Sequence, residues 1–94
     1  MSLEGDWRVR RGGGLLPPLV GVRKRIEGRR GWTAVGPLRV PFDLTGLELR
    51  YRGVFKGFVD VLTPVDDETY AGRATFRGRT FGSFTITRQD RRSQ

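Results

Sequence analysis

Two runs, Leu38-Arg39-Val40-Pro41-Phe42-Asp43-Leu44 and Leu47-Glu48-Leu49-Arg50-Tyr51-Arg52, flank the turn signal Thr45-Gly46, and their reading decides the fold. Apolar and polar residues alternate along both. That is the two-residue period of a strand with one buried face. Leu38, Val40, Phe42 and Leu44 share one face, with Arg39, Pro41 and Asp43 on the other. Pro41 has no backbone N–H, so it belongs at a sheet edge or a bulge. The pattern recurs in both directions. Trp7 and Val9 alternate with Asp6, Arg8 and Arg10, and Lys24 shares the face of Val22 and Ile26 against Arg23, Arg25 and Glu27. Ala74 and Phe76 oppose Arg73 and Thr75, and Phe84 and Ile86 oppose Ser83, Thr85 and Thr87. Gly and Pro interrupt every long window, and β-branched and aromatic residues dominate the runs, so no helix is expected. The reading is all-β: one domain over residues 1–94, a small antiparallel meander barrel of seven or eight short strands joined by tight turns.

Composition excludes much chemistry. The chain has 94 residues with no His and no Cys, which removes His- or Cys-ligated metal, Cys nucleophiles, Ser-His-Asp triads and disulfides. Acidic residues fall on polar faces and in turns, with Asp66-Asp67-Glu68 read as a solvated turn. Asp60 is the exception, set among Phe58, Val59, Val61 and Leu62, and a neighbouring-strand arginine such as Arg50 or Arg73 is its expected partner. No carboxyl pair suited to acid–base work emerges, so no catalytic residues, cofactor or metal are expected. No apolar run reaches the roughly 20 residues of a membrane helix. Met1–Trp7 has neither a basic nor an apolar leader region, so a cytoplasmic location is expected.

The first and last runs carry a resemblance. Gly5-Asp6-Trp7 is a Gly-x-Trp on the first strand, and Arg88 ends Phe84-Thr85-Ile86-Thr87-Arg88 on the last. This pairing resembles lipocalins and the wider calycin group of barrels. There an arginine of the last strand packs over that tryptophan and closes the base. The resemblance implies a lipocalin-like barrel with Gly5, Trp7 and Arg88 as structural, barrel-closing residues. Gly72–Phe84 also resembles the closing hairpin of small bacterial lipocalin-like proteins.

The function expected on this basis is non-enzymatic binding of a small hydrophobic or amphipathic ligand in the barrel interior. Lys24, Trp32, Leu49, Tyr51, Phe58, Phe76 and Phe84 are the candidate lining, with Lys24 placed to meet an anionic head group. Residues 11–19, with Gly12-Gly13-Gly14 and Pro17-Pro18, read as a lid over the mouth or a plug completing the core. Leu15, Leu16, Leu19 and Phe55 are apolar residues near turns that a homodimer would bury. The alternative is a nucleic-acid-binding barrel. The net charge is +8, and Arg8, Arg10, Arg23, Arg25, Arg39, Arg50, Arg52 and Arg73 are expected to point outward. Alternation separates these arginines from Tyr51 and Phe76. Nucleic-acid binding is therefore expected to be weak and salt-sensitive.

Overall fold

The computed structural model describes residues 3–16, 19 and 21–89. Eight strands run in chain order: β1 (Gly5–Gly14), β2 (Arg23–Glu27), β3 (Arg30–Val35), β4 (Leu38–Thr45), β5 (Glu48–Tyr51), β6 (Phe58–Asp66), β7 (Thr69–Phe76) and β8 (Arg79–Arg88). Each pairs antiparallel with the next, and β8 returns to β1 to close the barrel. The only helical element among the described residues is one 3-10 turn, Gly53–Phe55. No helix among them is long and apolar enough to cross a membrane.

The turns explain why the sequence closes so economically. At Arg77-Gly78 both φ values are positive, 50° and 87°, matching the right-handed twist of the flanking strands. At the β4–β5 turn the two-residue connection is Gly46-Leu47, so Leu47 lies in the turn and is 38% exposed. Pro41 pairs with Trp32 on one side, and its carbonyl accepts from the Arg52 N–H just past the end of β5. The missing N–H therefore falls where the β5 ladder has already ended.

Alternating direction sorts the connections into two ends. Residues 28–29, 46–47 and 67–68 and the N-terminal segment lie at one end, the base. Residues 15–16, 19 and 21–22, with residues 36–37, 52–57 and 77–78, lie at the other, the mouth. The core runs from Leu3, Trp7, Ile26, Leu62, Tyr70 and Ile86 toward the base up through Phe42, Leu49 and Phe84. Gly72 makes room for this packing, since a Cβ there would lie 2.3 Å from the Phe84 ring.

Residues 11–14 belong to β1 and not to a loop, pairing with β8 across a register shift between Arg11 and Gly13. Beyond them Leu16 and Leu19 pack against the core while Leu15 is 85% exposed. Pro17, Pro18 and Val20 lie outside the described residues. The arginines expected on outward faces do lie there, Arg25 half-buried and the others exposed.

Candidate functional site

The base is sealed by the two ends of the barrel. Trp7 is fully buried and its indole N–H donates to the Leu3 carbonyl at 2.9 Å. Arg88, its register partner on β8, lays its guanidinium 4.3 Å from the indole ring centre and donates to the Glu4 carbonyl. Glu68 sits 3.4 Å from the same guanidinium. Gly5 has φ 129°, a conformation that favours glycine, and a Cβ there would also press on the Arg88 guanidinium at 2.9 Å.

Halfway up, the interior holds a polar cluster drawn from four strands. Lys24 Nζ on β2 donates to Thr33 Oγ1 (2.7 Å), Tyr51 OH (2.7 Å) and Asp60 Oδ2 (3.0 Å). Tyr51 OH donates to Asp60 Oδ2 at 2.7 Å, which leaves Thr33 as the donor in its 2.8 Å contact with Tyr51. All three ammonium protons are thereby used. Burial disfavours the charged ammonium, but the attractions and hydrogen bonds of Tyr51 and Asp60 outweigh it, and Lys24 holds its proton above the ordinary lysine range. Burial, joined by the Asp60 charge, raises Tyr51 and keeps it neutral against the pull of Lys24. The Asp60 partner is therefore Lys24 across the barrel, a correction to the expected Arg50 or Arg73. Those two point outward, Arg50 to Glu48 and Arg73 to Thr80.

The remaining expected lining residues divide. Leu49 and Phe84 are buried in the core, with the Phe84 ring 5.4 Å from Lys24 Nζ. Phe58 is half-buried at the mouth and packs against Phe76 with centroids 4.6 Å apart and the rings tilted by 41°. Phe76 is 39% exposed, so it belongs to the rim and not to the interior. Its parity is that of Ala74, but it lies at the last residue of β7, where the barrel opens. Trp32 is a clear correction. Thr33 takes the inward position on Lys24, so alternation turns Trp32 to the outer face. There it pairs across strands with Arg25 and Pro41, and the Arg39 guanidinium sits 4.5 Å from its ring centre.

Sequence reasoning missed a cleft where β1 and β2 part, beside Leu19 and Gly21. Its volume is about 840 Å³. Leu19 and the edges of the core residues Val9 and Val22 line it, and Arg8, Arg10, Arg11 and Arg23 surround it without any acidic residue. Arg11 is held by its own loop, donating to the carbonyls of Gly14 and Leu16. Among the described residues Arg8, Arg10 and Arg23 have no carboxylate within ion-pairing distance. The signal in the sequence was Arg8-x-Arg10-Arg11 followed by an apolar loop, legible only once β1 and β2 are known to diverge.

Charge is also divided between the ends. The acidic residues described, Asp60 apart, are Glu4, Asp6 at the start of β1 and residues within three of a base turn, of which Asp43 reaches Arg52 of the mouth connection at 3.5 Å. The mouth connections contain none. Among the described residues no three acidic side chains converge to hold a metal ion. No protein-family model, curated protein or solved structure matches the chain.

Proposed function

We propose that this barrel is a non-enzymatic binder of a small amphipathic anion, held in the cleft between β1 and β2. One observation carries the reading: half-buried Leu19, with the edges of the otherwise buried Val9 and Val22, lies under arginines that have no carboxylate of their own. An alkyl or aryl body would cover these side chains, and a carboxylate, sulfonate or phosphate head would pair with Arg10 and Arg23, which suit bidentate contact. The interior is a poorer host, because Lys24 spends its protons on Thr33, Tyr51 and Asp60. The closed meander with Arg88 over Trp7 supports a calycin-type barrel as the scaffold. The test is titration with anilinonaphthalene sulfonate, competed by dodecanoate. Wild type should bind and keep binding in about 0.5 M salt, since burial of apolar area is little screened. The double variant Arg10→Glu/Arg23→Glu should lose about tenfold or more in affinity. Unchanged binding by that variant overturns the reading.

A second reading is favoured by Trp32. It shares the outer face with Arg25 and Arg39, so an aromatic and its cations are interleaved after all. That is the arrangement on which single-stranded bases stack. An oligo-dT titration that quenches Trp32 fluorescence and is lost in Trp32→Ala would support it. No binding at low salt would remove it.

A further inference from the structure

We infer that the mouth end of the barrel docks on an anionic lipid bilayer. Six of the eight large apolar side chains exposed among the described residues lie at this end: Leu15, Val35, Leu38, Val54, Phe55 and Phe76. Val54, at 93% exposed, is the tip of the 52–57 connection. Behind the tips is a firm aromatic platform. Phe58 packs against Phe76, meets Phe81 edge-on at 5.9 Å and lies 6.2 Å from Phe55. Leu38, Val54 and Phe55 line one further shallow groove, so the apolar surface continues from β4 to β7.

Four of these six tips have a cation beside them, one of those cations, Arg52, being shared with Asp43 at 3.5 Å. Arg39 follows Leu38, Arg52 and Lys56 bracket Val54 and Phe55, and Arg77 lies 5.4 Å from the Phe76 ring. The mouth connections hold no acidic residue. A bilayer interface takes apolar tips into the acyl boundary and holds Lys and Arg at the phosphate level, and anionic lipid adds attraction for each cation. A polynucleotide would satisfy the cations but gives Leu15 and Val54 no apolar phase. A second copy docked mouth to mouth would bring like charges together. The turn Asp66-Asp67-Glu68 at the base helps orient the barrel, since a negative surface attracts the mouth and repels that turn.

This inference does not depend on the cleft, because vesicle docking can fail while anilinonaphthalene sulfonate still binds, and the reverse. The experiment is flotation of the full chain with vesicles of phosphatidylcholine containing or lacking phosphatidylglycerol. Wild type should float with the anionic vesicles and do so weakly with phosphatidylcholine alone. Val54→Asp should cut the partition coefficient about tenfold, and Lys56→Glu/Arg77→Glu should abolish the preference for phosphatidylglycerol. Val65→Asp, at the base turn where Val65 is 62% exposed, should change nothing. Melting curves of each variant confirm that the fold is intact, which solvent-exposed positions permit. Equal flotation of Val54→Asp and wild type overturns the inference, as does an equal loss in Val65→Asp. Sedimentation showing that Val54→Asp abolishes a dimer, with no flotation of wild type, would reassign the face to a second copy.

Discussion

The base and the mouth are built from the same strands with the same alternation, yet one is sealed and the other open. At the base Trp7 is enclosed on all sides, with Tyr70 edge-on at 5.4 Å, the Leu3 carbonyl and the Arg88 guanidinium as partners. At the mouth the inward positions Val35, Leu38 and Phe76 run past the last layer that could cover them, and each is at least 39% exposed. Alternation thus decides which face a residue takes. Its height along the barrel axis decides whether that face is buried. The polar cluster around Lys24 marks the boundary between the two regimes.

The sharpest test of that contrast is Trp7→Ala, which should cost about 3–5 kcal/mol of stability by denaturant unfolding, as large aromatic truncations in cores do. Phe76→Ala should cost far less, about 1 kcal/mol, because its ring is partly solvated. Comparable losses at the two sites would erase the distinction. Lys24→Met should cost about 3–5 kcal/mol by stranding a buried Asp60, and adding Asp60→Leu should restore much of it. No recovery in the double variant would mean that the loss came from packing and not from charge.

The same cluster predicts a pH dependence. Lys24 binds its proton more tightly folded than unfolded, so its contribution is complete below the ordinary lysine pKa of about 10.4. It is lost as pH rises toward the folded value. Tyr51, also raised, acts in the same direction from about pH 10 upward. The melting temperature should therefore fall as pH goes from about 9 to 12 in wild type, and fall less in Lys24→Met/Asp60→Leu. A smaller effect is expected for Arg88→Ala, about 1–2 kcal/mol from the lost ring contact and hydrogen bond.

Much of this fold was legible in the sequence because its signals are local. Alternation around Thr45-Gly46 and the Gly-punctuated turns specify antiparallel hairpins, and the eight strands follow. What the sequence did not yield depends on closure. Lys24 and Asp60 are 36 residues apart and meet only across a finished barrel, while the arginines adjacent in the sheet looked like better partners. A large apolar side chain such as Trp32 favours burial, but Thr33 holds the inward place through its bond to Lys24. The β1–β2 cleft arises from a divergence of strands, and no residue pattern announces it. The calycin resemblance pointed to the base, where Arg88 lies over Trp7, and said nothing about the mouth.

The ladder between β1 and β8 has a consequence for how the chain reaches this state. Its Arg88-to-Glu4 bond spans 84 residues, so the barrel is the last thing to form and the loop closed in forming it is nearly the whole chain. Until β8 has been synthesised and docked, β1 and β7 are bare strand edges carrying Trp7, Val9 and Tyr70 toward an unfinished interior. Such edges recruit other chains. Refolding yield should fall steeply with protein concentration, and a chain ending before Arg79 should aggregate at concentrations where the whole barrel stays dispersed.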